Sequence, residues 1–106
     1  MASTPVTSDL KRSIVNTFLP FKPRRIILFG SLARDDADSE SDVDIIIVYE
    51  TDKRFMDRLA ELYLAWDIPR AVDILAYTPD EYHSMKEASA FVQEVLKDAE
   101  VLYERS

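Results

Sequence analysis

Apolar residues change their rhythm several times along the chain, and each change marks an element. Leu10, Ile14, Val15 and Phe18 recur at steps that match a helix with one buried face. Ser8 can cap that helix, and Pro20 and Pro23 predict its end. The next apolar stretch, Arg25 to Phe29, is short, rich in β-branched residues and stops at Gly30, which predicts a buried strand entering a tight turn. After the polar stretch Asp35 to Ser41, the run Asp42 to Tyr49 predicts a second strand. Phe55, Leu59, Leu62 and Trp66 lie at steps of four, three and four and predict an amphipathic helix from Lys53 to Trp66, with Pro69 beyond its end. Arg70 to Tyr77 predicts a third strand, interrupted by Asp73.

Thr78-Pro79-Asp80-Glu81 is a helix start: threonine can cap, proline fits the first helical position, and two acids complement the helix dipole. Finally, Phe91, Val92, Val95, Leu96, Ala99 and Leu102 fall on one stripe and predict a last helix of about four turns. Three strands alternating with some four helices predict an α/β or α+β layered fold.

Composition narrows the function. A length of 106 residues predicts one domain, 1–106, and the 47% of hydrophobic residues is enough for a packed core. A formal net charge of −7 repels polyanions, so long nucleic acid is a poor substrate. With no cysteine, thiolate metal sites, thiol nucleophiles and disulfides are excluded. The longest aliphatic run, Ile45 to Val48, is far short of the ~20 residues of a membrane span. The start Met1-Ala2-Ser3-Thr4-Pro5 lacks the basic-then-apolar order of a secretory signal, which predicts a cytoplasmic protein.

Candidate chemistry gathers around the single glycine, where a chain of this length would ordinarily hold about seven. Gly30 at a strand end permits positive φ or close approach by a ligand, and Ser31 adds a hydroxyl and an N–H. If Ser31 to Asp35 form a helical turn, its amides face the strand end and favour a phosphate, with Arg34 on the same rim. Gly-Ser alone is also a common turn that serves only the chain path. Asp42 and Asp44 follow, and strand alternation puts both carboxylates on one side with Val43 and Ile45 on the other. Alone, such a pair reads equally as a solvated strand start; beside so apolar a run it suits a hard cation, since Mg²⁺ takes carboxylate and phosphate oxygens.

Asp73, between Val72 and Ile74, is predicted to be a buried carboxylate in need of a partner. That partner is either backbone amides or an arginine, or metal shared with the other two acids. Three acids at one sheet end suit two metal ions about 3.5–4 Å apart, with Asp73 as candidate general base.

Gly30-Ser31, ten intervening residues, Asp42-x-Asp44 and a later strand Asp73 resemble the signature of the polymerase-β-type nucleotidyltransferases. The fuller string Leu28-Phe29-Gly30-Ser31-Leu32-Ala33-Arg34 through Ser41-Asp42-Val43-Asp44 resembles the minimal nucleotidyltransferase (MNT) family, from about Leu10 onward. The resemblance implies an α+β fold with a small mixed sheet and helices on one side. It also implies Mg²⁺-dependent transfer of a nucleoside monophosphate, AMP from ATP, to a hydroxyl, with release of pyrophosphate. By position, Gly30, Ser31 and Arg34 would bind the triphosphate, Asp42 and Asp44 would ligate two Mg²⁺ ions, and Asp73 the catalytic one. Members of the family often act as antitoxins that silence a HEPN ribonuclease toxin by adenylylating a tyrosine; that implies a HEPN toxin as partner, while the sequence leaves a homo-oligomer and a hetero-oligomer both open. One departure is that Asp35 and Asp36 stand where the family commonly continues with glycine.

Two other functions fit the same residues: an antitoxin that neutralises by contact alone, and a transferase acting on a small molecule such as an antibiotic. A calcium loop over Asp36 to Ile47 fails, because Ser41 and Ile47 stand where glycine and glutamate are required. His83 is read as a surface residue, and Trp66 and Tyr63 as core or partner interface.

Overall fold

The computed structural model describes residues 8–34 and 42–105, with the side chains of Ser31 and Arg34 outside the description. Helix α1 spans Ser8–Phe18 and buries Ile14 and Phe18; Ser8 is its first helical residue. Pro20 lies in a short 3₁₀ turn, Leu19–Phe21, that ends with Lys22 in the left-handed region at φ 57°. Strand β1 (Arg25–Phe29) runs into α2 (Ser31–Arg34), a single helical turn. Then come β2 (Val43–Val48), α3 (Phe55–Ala65), β3 (Val72–Tyr77), α4 (Pro79–Ala88), α5 (Ala90–Leu96) and β4 (Glu100–Glu104). Thr78 caps α4 as its sequence predicts: its side chain accepts from the Glu81 N–H and Glu81 reaches back to the Thr78 N–H, a complete capping box.

The four strands form one mixed sheet in the order β3-β2-β1-β4. β1 lies antiparallel to β2 and to β4, and β2 lies parallel to β3. Alternation divides the side chains between two cores. Ile26, Leu28, Val43, Ile45, Ile47, Ile74 and Ala76 face α1 and α3, where Ile14, Phe18 and Leu62 complete a dry layer. Trp66 closes it, with its ring 6.0 Å from that of Phe18 and its indole N–H donating to the Arg70 carbonyl at 2.7 Å. Ile27, Ile46, Val48 and Tyr77 face the other way and pack with Tyr82, Met85, Val95 and Leu96 of α4 and α5.

Two expectations are corrected here. Helices cover both faces of the sheet, not one. The predicted last helix is two elements: α5 stops at Leu96 and the chain returns as β4 beside β1. Val95 and Leu96 do pack as helical residues, but Ala99 and Leu102 continue the helical spacing only by coincidence. What decides the second half is the edge of β1, which supplies a ladder of backbone hydrogen bonds that local spacing does not reveal. No helix among the described residues is long and apolar enough to cross a membrane.

Candidate active site

The acids meet at the sheet end where β2 and β3 begin. Parallel pairing places Asp44 beside Asp73, and antiparallel pairing places Phe29 of β1 beside Asp44, giving one row across three strands. The next row inward is Leu75, Ile46 and Ile27, which belong to the core under α4 and α5. Asp44 and Asp73 therefore project on that same face, one step beyond the apolar cover. Asp42 is exposed and lies just ahead of β2, with Val43 turned into the opposite core as alternation requires.

The Asp44 and Asp73 carboxyls are direct neighbours, close enough for one to hydrogen-bond the other when either is protonated. Burial pushes the Asp44 carboxyl up to about 6, and the charge of Asp73, the hydrogen bond to it and the charge of Asp42 push in the same direction. No ion pair among the described residues includes any of the three acids. At neutral pH this corner holds neighbouring negative charges with no described cation to balance them.

Gly30 is what lets the corner close. Its φ of +79° lies in the left-handed region, and its carbonyl accepts the Ala33 N–H at 3.1 Å to open α2. A Cβ at this position would collide with the Asp44 carboxylate oxygen and stand 3.3 Å from its Cγ. Backbone conformation and the space needed by Asp44 thus both demand glycine. The helical turn foreseen after Gly30 is present, while the Ser31 and Arg34 side chains, with Asp35, Asp36 and Ser41, lie outside the described residues.

Asp73 departs from its expected setting. It is exposed, at the start of the edge strand β3, so no burial cost forces it to find a partner. It meets Asp44 through strand register instead. The expected cluster of three is also looser: among the described residues, no group of three or more acidic, histidine or cysteine side chains is gathered tightly enough to hold a metal by itself. Two acids touch and the third acts through space. The donor set still fits Mg²⁺, which is ordinarily held by one or two carboxylates together with water and substrate phosphates, not by an all-protein cage.

Arg58 was not singled out from sequence. Only 9% of its side chain is exposed, and it makes paired bonds of 2.7 and 3.1 Å to Glu81 while donating to the carbonyls of Lys53 at 2.8 Å and Ala76 at 3.2 Å. Its signal was position: it sits one turn before Leu62, on the core side of α3, where nothing apolar stands. A cleft of about 560 Å³ opens beside it between α3 and α4, lined also by Tyr77 and Met85. Because Arg58 and Glu81 already match each other, this cleft at the far end of β3 is a weaker candidate than the acid row. His83 is exposed, as read from sequence, with its imidazole 3.5 Å from Glu87.

Comparison with known proteins adds independent findings. Residues 12–106 match the family model described as polymerase beta, nucleotidyltransferase. A protein of Methanocaldococcus jannaschii named "Putative protein adenylyltransferase" is 39% identical over 69 residues, 59% of this chain and 69% of the relative. The crystal structure of a toxin-antitoxin with AMP-PNP superimposes with a TM-score of 0.65 at 23% identity, covering 91% of this chain and 74% of the other. That of a "putative nucleotidyltransferase" from Sulfolobus solfataricus gives a TM-score of 0.63 at 21% identity, over 99% of this chain and 91% of the other. These two structures share the fold. With the family model matching almost the whole chain, the protein belongs to the polymerase-beta nucleotidyltransferase family and is a nucleotidyltransferase.

Proposed function

We propose that this chain transfers AMP from ATP to a hydroxyl on a partner protein, a tyrosine of a HEPN ribonuclease toxin, and so acts as its antitoxin in the cytoplasm. The observation that carries the reading is the Asp44–Asp73 pair, uncompensated by any described cation and facing a glycine that cannot be replaced without striking it. The adenylyltransferase name of the archaeal relative supports the reaction class, and the neighbour with AMP-PNP supports both the nucleotide and a toxin partner.

In this reading Asp42 and Asp44 would hold two Mg²⁺ ions, and Asp73 would ligate the catalytic one. Mg²⁺ supplies charge neutralisation and polarisation of the phosphates. The turn Gly30-Ser31 offers amides to the triphosphate, and Arg34 binds it from the same rim. The acceptor oxygen forms its bond to the α-phosphorus while the bond from that phosphorus to the bridging oxygen breaks. Pyrophosphate leaves, and the Asp73 carboxylate takes the acceptor proton.

Incubation of the chain and its partner toxin with α-labelled ATP and Mg²⁺ tests this. Label on the partner, lost in Asp44→Asn, is the expected result. A partner that stays unlabelled yet is neutralised equally by wild type and Asp44→Asn would establish contact inhibition in its place.

A further inference from the structure

Helix α3 has two apolar sides: one packs in the core, and on the other the Tyr63 hydroxyl reaches back to accept the Ile74 N–H at 3.0 Å. Leu59, Leu62 and Ala65 turn inward, while Met56, Ala60, Tyr63 and Leu64 are exposed, with 71% of Met56 and 87% of Leu64 open to solvent. At ~100° per residue these four fall within about 100° of each other, opposite the core side. Single exposed apolar residues need no explanation, but a stripe along a whole helix marks an interaction surface.

The stripe has a further property. Ala60 is the midpoint of Phe55–Ala65, with Met56 four residues before it and Leu64 four after. Large, small, large at equal steps is its own complement when the helix is turned end for end. The charges just outside α3 obey the same symmetry: Lys53 lies seven residues before Ala60 and Asp67 seven after, and both are exposed.

From this we infer that α3 packs against α3 of a second copy of the chain about a two-fold axis through Ala60, independently of the nucleotidyl-transfer reading. Met56 of each copy then meets Leu64 of the other, alanine lets the helices approach, and two Lys53–Asp67 pairs close the ends. Lys53 gives up little to do so, because its contact within the chain is a mostly exposed one at 3.4 Å to Glu61. The helix is about 16 Å long. Its contact is smaller than the ~1,600 Å² of a standard interface, so the dimer is a concentration-dependent one.

Sedimentation of the full chain from micromolar to about 1 mM reads this directly. A monomer–dimer equilibrium is expected, weakened by roughly a hundredfold or more in Leu64→Glu. That substitution lies on a side chain the fold does not bury, and circular dichroism confirms that the variant stays folded. Lys53→Asp weakens the dimer roughly threefold to tenfold, and Lys53→Asp with Asp67→Lys restores it. A chain that stays monomeric to 1 mM, including one whose α3 is covered only by a different protein, overturns the inference. So does a dimer indifferent to Leu64→Glu, or a charge exchange that fails to restore association.

Discussion

β2 and β3 run side by side, and their two ends treat charge in opposite ways. Where they finish, the buried charge is answered: Arg58 holds Glu81 in a paired contact, Glu81 closes the cap of α4, and the Tyr49 hydroxyl donates to Glu61 at 2.7 Å. Hydrogen bonding to Arg58 holds the Glu81 carboxyl below its ordinary range. Where the strands begin, burial pushes the Asp44 carboxyl up to about 6, with Asp73 and then Asp42 adding to the shift. The finishing end ties α3 to α4 and supports the fold. The beginning end opposes the fold, and perturbed carboxyls of this kind gather at functional sites, which is where the proposed cation and nucleotide would sit. A raised carboxyl is thus informative here because the same two strands show how easily a carboxyl could have been matched.

The sharpest way to break this contrast is to remove charge from each end in turn. Asp44→Asn is expected to lower nucleotidyl transfer by more than about a hundredfold, beyond what outer partners of a metal site carry, while raising the thermal midpoint at pH 7. A loss of stability would make the corner an ordinary structural feature. Arg58→Met is expected to do the reverse: about 2–3 kcal/mol lost in urea unfolding, less than a fully buried pair because Glu81 is half open to solvent, with transfer by the folded enzyme unchanged.

Gly30→Ala comes next, costing about 1–2 kcal/mol for its left-handed backbone and abolishing transfer by displacing Asp44. Part of that stability should return in Gly30→Ala with Asp44→Ala, with a coupling of about 0.5 kcal/mol or more in a double-mutant cycle. Additive effects would show that the two residues do not meet.

The smallest effect is in pH dependence. Between about pH 4 and about pH 6 the folded chain binds a proton at Asp44 that the unfolded chain has released, so this group's contribution to stability falls as pH rises through that window and stays low above it. Glu81, shifted downward, contributes stability that is lost only as pH falls below the ordinary carboxylate range. Subtracting the Asp44→Asn stability profile from that of the wild type should leave a downward slope between pH 4 and 6. A flat difference would remove the electrostatic distinction between the two ends.

Sequence made the beginning end legible because its signals are local. A lone glycine after an apolar strand, acids two apart, and alternation predict where Gly30 and Asp44 stand without knowledge of distant contacts. The cap at Thr78 was legible for the same reason. β4 was not, since Glu100 to Glu104 becomes a strand only by pairing with β1, some seventy-five residues earlier. Asp73 was placed on the right face but given the wrong burial, because which strand lies at the edge of the sheet is a tertiary matter. Arg58 escaped because an arginine in an amphipathic helix looks solvated until its partner on another helix is known.

The most direct measurement is a carboxyl-carbon NMR titration of Asp44, first alone and then with Mg²⁺ and a non-hydrolysable ATP analogue. The expected midpoint is near pH 6 alone, falling below the ordinary carboxylate range once Mg²⁺ and nucleotide saturate the site. An ordinary midpoint in the free protein, or one that saturating Mg²⁺ and nucleotide leave in place, would contradict the claim that this acidic corner exists to hold the metal of nucleotidyl transfer.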